Sequence, residues 1–232
     1  VVGVAGVYTE KIAGYYGAPQ SIASHQFIDR GPDKLGFFME AAPVQPMLIA
    51  FASGMFGAGL HSLMAQLPYV SVLIALFVDG LRDDEPGGTV TVDAHGRSRL
   101  DYPLGPLHTE AFAAMHDALA RVQLAAGAKH AMTLHRVPIT VSSERDLPSL
   151  AAAAFGAHEH SIFTAHQMGG AAMGADAKTS VVRQDLRHHR VANLFVVDGS
   201  VMPTALGVNP SESIYGLAHR ATSAVAAAVT AG

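Results

Sequence analysis

The sequence predicts an α+β fold: a mixed or antiparallel sheet with helices, closed by a strand–loop–helix layer of α/β character. Three observations carry this expectation. Apolar runs of strand length recur at Gly36–Ala42 and Tyr69–Val78, bounded by Pro and Asp-Gly breakers. The stretch T-V-T-V-D-A-H-G-R-S-R-L-D-Y has the alternation and central turn of a hairpin. Two long helical patterns follow, one after Thr109 and one from Ser211 to Val229.

Taken in order, residues 1–35 are rich in Gly, Pro, Tyr and polar residues and read as irregular structure with short strands. Gly36–Ala42 is a short strand ended by Pro43 and Pro46, which introduce a glycine-weakened helix over Met47–Gln66. Tyr69–Val78 is a β-branched strand, and Arg82–Gly88 a charged turn. The hairpin spans Thr89–Asp93 and Arg97–Tyr102 around a turn at Ala94–Gly96. Thr109 caps the next helix, whose apolar positions Phe112, Met115, Leu119, Val122 and Leu124 fall near helical spacing, with Gly127 beyond its end. A strand at Ala131–Leu134, a small helix around Leu147–Phe155 and a buried-type strand at Val191–Val197 come next. Pro210 precedes the last helix, with Ser211 or Asn209 as its cap.

Composition narrows the function classes. With 232 residues the chain can bury a sizeable core, and 50% apolar against 15% charged residues argues against disorder. A net charge of -4 with no Lys/Arg cluster gives no electrostatic footprint for nucleic acid. The absence of cysteine excludes disulfides, thiolate metal sites and a Cys nucleophile. No secretory signal is visible at V-V-G-V-A-G-V, and the start suggests a chain that begins inside a longer protein. A cytoplasmic or peripheral-membrane location is the expectation. Between Pro46 and Val78 the apolar character is strong, but glycines, His61, Gln66 and Pro68 interrupt any run of the ~20 residues a span needs. A buried or substrate-lining segment is expected there, with monotopic membrane contact as the alternative.

Four constellations could carry chemistry. Gly57-Ala58-Gly59-Leu60-His61-Ser62, with Asp79 downstream, has the form of a dinucleotide fingerprint, but too few residues separate Gly59 from Pro68 for a crossover helix. His158, His160 and His166, with His188 and His189, could meet a metal, although the segment offers only Glu159 as a carboxylate at ligand spacing; no metal is expected. A Ser200–His166–Asp198 hydrolase triad lacks the G-x-S-x-G elbow. The fourth is His166 with Asn209. An imidazole whose ordinary pKa is ~6.5 accepts a hydroxyl proton at neutral pH, and a carboxamide orients the same oxygen without competing for the proton. Gly169, Gly170 and Gly174 let backbone approach a planar ring, and Asn209 directs a helix N-terminus toward a carbonyl or anion. The competing reading is a core histidine among turn glycines.

At these residues the sequence resembles the glucose–methanol–choline (GMC) flavoprotein oxidoreductases, in their C-terminal region. From Phe163 to Ala226, H-Q-M-G-G-A-A-M-G, S-V-V, N-L-F-V-V-D-G-S-V-M-P-T and G-V-N-P-S-E-S-I-Y-G-L-A follow the family pattern in order. Several linked motifs are a far more specific signal than a lone glycine motif. The resemblance implies FAD as cofactor, His166 as the active-site base, Asn209 as its partner, Asp198 and Gly199 along the FAD, and Asn209, Pro210 and Ser211 near the flavin. Asn in the second position is similar to the cholesterol-oxidase and long-chain alcohol oxidase branches. Upstream, Y-G-A-P-Q, G-F-F-M-E, S-G-M-F-G and R-L-D-Y-P-L look like the substrate-binding portion of long-chain alcohol oxidases.

The resemblance therefore implies residues 1–158 as a substrate-binding region and 159–232 as the C-terminal part of an FAD-binding α/β domain. It implies oxidation of a primary, long-chain or apolar alcohol to the aldehyde, with an electron acceptor (oxygen or another) left open. A sterol oxidase and a noncatalytic module derived from the scaffold are the alternatives. The family's N-terminal βαβ unit is absent from the sequence, so the same polypeptide or another chain is expected to supply it. Residues 1–232 alone are expected to hold FAD poorly and to be inactive.

Overall fold

A computed structural model describes residues 1–18, 20–80, 87–156 and 158–230, which divide into two compact units. The units are interleaved in sequence rather than consecutive. The first comprises Val1–Phe77 and Leu104–Phe163, the second Val78–Pro103 and Thr164–Gly232.

The first unit is built on a six-stranded antiparallel sheet. Its strands are β1 (Val2–Val7), β2 (Ala23–Ser24), β3 (Phe37–Ala42), β4 (Val70–Phe77), β7 (His130–Thr133) and β8 (Thr140–Val141), in the order β2-β3-β4-β1-β7-β8. Register places Val2 opposite Ala75 and Val4 opposite Leu73, while Phe38 faces Leu76. Because strand side chains alternate, these pairings sort the sheet into two apolar faces. One carries Val2, Val4, Phe37, Met39 and Ala75 and packs against Ala111, Phe112, Met115 and Leu119 of α3 (Pro106–Ala125). The other carries Ala5, Phe38, Val70, Val72, Ile74 and Leu76, with Ile49 of α1 (Pro46–Ser53) and Met64 of α2 (Gly57–Gln66) against it.

The first unit refines the sequence reading at several elements. The N-terminal residues form β1, an inner strand of the sheet and one of the short strands expected within residues 1–35, whose bounds the sequence left open. Its glycines disguise the alternation: at Gly6 a Cβ would overlap the Gln123 side chain, which crosses the strand to donate to Val4 O at 3.2 Å. The helix expected over Met47–Gln66 is two helices, because Gly54 (φ 62°) and Gly57 (φ 59°) adopt left-handed backbone between them. Helix α3 begins at Pro106 with Gly105 as N-cap, three residues before the expected cap at Thr109. The helix expected around Leu147–Phe155 is reduced to α4 (Pro148–Ala151).

In the second unit, β5 (Thr89–Val92) and β6 (Ser98–Asp101) form the expected hairpin, with Asp93 Oδ1 accepting from the N–H groups of His95 and Arg97 across the turn. The turn expected at Arg82–Gly88 lies mostly outside the described residues. Helix α5 (Ser211–Thr230) forms as expected and packs Leu217 and Ala221 onto Val182, Leu186 and Val201. The strand expected at Val191–Val197 does not form. A strand needs a bonded neighbour, and this stretch finds only an isolated bridge between Arg187 and Phe195, leaving Val191 and Leu194 each 43% exposed. No described helix is long and apolar enough to cross a membrane.

Candidate active site

The predicted site residues all belong to the second unit. His166 opens a loop without regular secondary structure and is half-buried. That loop is held by backbone bonds: the N–H groups of Ala171 and Met173 donate to Ser200 O and Val201 O, each at 2.9 Å. Gly174 N–H in turn donates to Val182 O at 2.9 Å, so the loop is fixed from both sides. Gly169 sits at φ 81°, a conformation that admits the tight reversal after His166.

Asp198 is the N-cap of a single 3-10 turn over Gly199–Val201. Its Oδ1 accepts from Ser200 N–H at 2.8 Å and from the Ser200 hydroxyl at 2.5 Å. The serine proton is thus committed to Asp198, which removes the hydrolase triad. Pro210 is buried and its carbonyl accepts from Ile214 N–H at 2.9 Å, starting α5; Asn209 and Ser211 flank it on the surface. The first-turn N–H groups of a helix lack intrahelical acceptors, and they carry the positive end of the dipole.

Gly199 is where these three segments converge. A Cβ there would lie 3.2 Å from Gln167 O, next to His166, and 3.2 Å from Ile214 Cδ1, one turn into the helix that Asn209 and Pro210 introduce. The Asp-Gly turn therefore lies against both the histidine loop and the asparagine-led helix start. Packing is close here, and glycine leaves the Gln167 carbonyl and the Ile214 side chain undisturbed.

Two constellations from the sequence dissolve. Gly57–Gln66 is itself a helix and follows another helix, so no strand precedes the would-be dinucleotide fingerprint. The histidines grouped in sequence do not gather either. His188 Nδ1 accepts from Arg190 and Val191 N–H groups at 3.1 Å each, and His189 Nε2 bonds Ser180 Oγ at 2.9 Å.

His160 instead belongs to the first unit, where it meets two histidines the sequence reading did not single out. His116 on α3, His135 just after β7, and His160 are all buried. His116 Nε2 and His160 Nε2 are 2.9 Å apart. Burial holds all three imidazoles below their ordinary pKa, His116 at about 4 and His160 at about 3. The available signal was a histidine at position 116 inside the apolar stripe of Phe112, Met115 and Leu119, a costly place for a polar ring without partners.

Comparison with known proteins bears on the second unit above all. The GMC oxidoreductase family model matches residues 84–218, more than half the chain. The chain belongs to the GMC oxidoreductases. GMC relatives include a long-chain-alcohol oxidase of Arabidopsis thaliana, 33% identical over 141 residues, covering 57% of this chain and 19% of that protein. A cholesterol oxidase of Acinetobacter baumannii is 48% identical over 65 residues, covering 28% of this chain and 12% of its own. The chain thus spans less than a fifth of the length of either relative. Among solved structures, pyridoxine 4-oxidase from Mesorbium loti superposes with a TM-score of 0.60 at 17% identity, over 95% of this chain and 41% of that one. That likeness shows a shared fold.

Proposed function

We propose that this chain carries the catalytic loops of an FAD-dependent enzyme that oxidises a primary, long-chain or apolar alcohol to its aldehyde. The supporting observation is the convergence at Gly199, which sets the His166 loop and the Asn209-led helix start against one Asp-Gly turn. The oxidoreductase class follows from the family. The long-chain preference draws on the Arabidopsis relative and on the apolar stretch through α1, α2 and β4.

When bound, FAD supplies the two-electron acceptor for the hydride that leaves the carbinol carbon. His166 takes the hydroxyl proton, a task suited to an imidazole that is neutral at physiological pH. Asn209 donates its amide N–H to the alcohol oxygen and so orients the carbinol C–H. Asp198, Gly199, Asn209, Pro210 and Ser211 would hold the flavin. In this reading residues 1–158 bind substrate and 159–232 complete the FAD-binding domain, the nucleotide half coming from elsewhere in the same protein or another chain.

A sterol substrate is the second reading, favoured by the 48% local identity to the cholesterol oxidase. The test uses the full-length protein, a flavin absorbance spectrum, and a panel of short, long-chain and sterol alcohols. Bound flavin with turnover of long-chain alcohols is expected. His166→Ala should lower turnover by about 10²–10⁴-fold while flavin content holds. An unchanged rate would remove His166 from the mechanism, and a sterol-only profile would replace the substrate class.

A further inference from the structure

We propose that the buried histidines His116, His135 and His160 form a binding site for one divalent transition-metal ion, zinc by ligand type, which clips the first unit together. One ring nitrogen from each lies within 4.8 Å of one from each of the others. The three come from separate elements: α3, the residue pair after β7, and the segment that follows α4. His135 and His160 also face each other across an isolated antiparallel bridge. Ring centroids are 4.3 Å apart for His135 and His160, 4.7 Å for His116 and His160, and 5.3 Å for His116 and His135.

The proton accounting leaves His116 with a lone pair directed at His160. His116 Nδ1 is 2.7 Å from Phe112 O, which only accepts, so that nitrogen carries the hydrogen and Nε2 keeps its lone pair. His135 Nδ1 pairs with Thr133 Oγ1 at 2.8 Å, fixing its ring, while its Nε2 is buried with no hydrogen-bond partner. His160 Nδ1 is likewise buried without one. A cation held by His116 Nε2, His160 Nε2 and His135 Nε2 would give the last of these a partner. The bonds from His116 to a backbone carbonyl and from His135 to a hydroxyl match the orienting contacts that metal-bound imidazoles make.

The His116–His160 separation fits with a small adjustment, and the His135 ring closes the remainder of a spread of at most 4.8 Å. Zinc–imidazole bonds of ~2.0–2.1 Å at tetrahedral angles separate ligand nitrogens by about 3.3 Å. The 2.9 Å between His116 and His160 therefore widens by a few tenths of an ångström. Imidazoles ligate when neutral, and burial already keeps these rings neutral at physiological pH. Phe155 packs against the cluster, with ring centroids 5.4 Å from His135 and 5.5 Å from His116, and gives it an apolar wall. Those features suit a structural ion.

The experiment measures metal in the full-length protein purified from zinc-supplemented medium and freed of loose ions by gel filtration. About one zinc per chain is expected, with a zinc-edge X-ray absorption spectrum showing imidazole ligands at ~2.0–2.1 Å. His135→Gln and His160→Gln should each weaken zinc binding by at least ~10-fold, whereas a His188→Gln/His189→Gln variant keeps it. Zinc far below stoichiometric in the wild type, undiminished zinc in both single variants, or a spectrum without imidazole scattering would overturn the proposal. The wild-type stoichiometry and spectrum decide the matter even where a variant fails to fold.

Discussion

The two units hold their histidines in opposite ways. In the first, His116 is fully buried, packed on Phe155 and framed by α3 and the sheet. In the second, His166 is half-buried on a loop whose geometry comes from backbone bonds to Ser200 and Val201 and from a missing side chain at Gly199. Under the proposed roles, a base that exchanges protons with a substrate needs access to it, whereas a ligand that holds a structural ion needs burial. The difference teaches where each unit is fragile: the first in its apolar packing, the second in its loop clearances.

The largest effect should come from opening the first unit's core. Phe112 is 1% exposed and packs between Phe77 and Phe155, with ring centroids 5.4 Å from each. Phe112→Ala removes that volume between sheet and helix and should cost about 3–5 kcal/mol. Denaturant unfolding measures this. A loss below about 1 kcal/mol would mean that packing does not dominate the first unit.

Legibility in the sequence follows the same division. β3, β4, the β5–β6 hairpin and α5 were readable because their periodicity or flanking breakers act locally. β1 was legible only as one of the short strands expected in residues 1–35, since Gly3 and Gly6 blur its alternation, and the reason for Gly6 is Gln123, far away in sequence. The Val191–Val197 stretch failed in the opposite sense: its composition suits a strand, but strand formation depends on a neighbour. At the site, the ordered motifs marked His166, Asp198, Gly199 and Asn209. The contact of Gly199 with Gln167 and Ile214 is tertiary and needed coordinates. His116 and His135 stayed hidden because three elements bring them together.

A second disturbance of the first unit tests a polar crossing rather than the apolar core. Gln123 Oε1 accepts from the Tyr8 hydroxyl at 2.6 Å, and its Nε2 donates to Val4 O and Ser71 O at 3.2 and 3.3 Å. Gly6→Ala places a methyl into that amide and should cost about 2 kcal/mol by leaving buried polar atoms unpaired. Adding Gln123→Ala should then cost less than it does alone, a coupling that a double-mutant cycle reads directly. Full additivity would show that the two do not meet.

In the second unit the matching change should spare stability and strike turnover. Gly199→Ala brings a methyl to 3.2 Å from Gln167 O and Ile214 Cδ1. Ile214 can rotate away, but the Gln167 carbonyl is backbone, so the His166 loop must shift. A displacement of that kind should lower turnover by about 10-fold with little change in thermal midpoint. Equal loss of stability and activity would erase the contrast between the units.

The smallest effects belong to exposed carboxylates, where the two units should behave alike. Asp93 in the hairpin sits below the ordinary carboxylate pKa, chiefly because the Arg97 N–H donates to it; Asp146 does so chiefly through the Ser142 N–H. A folded pKa below the unfolded value of 3.8 means the stabilisation is present above 3.8 and fades as pH falls through the lower folded value. Asp146 is exposed and the Asp93 side chain is 32% accessible, so thermal midpoints should barely move in Asp93→Asn or Asp146→Asn. The local signal is sharper. The amide resonances of Arg97 and Ser142 should titrate with midpoints below 3.8, and each titration should vanish in the matching Asn variant. A midpoint at or above 3.8 in one unit alone would show that backbone donation to a surface carboxylate differs between them after all, and that the contrast reaches beyond cores and loops.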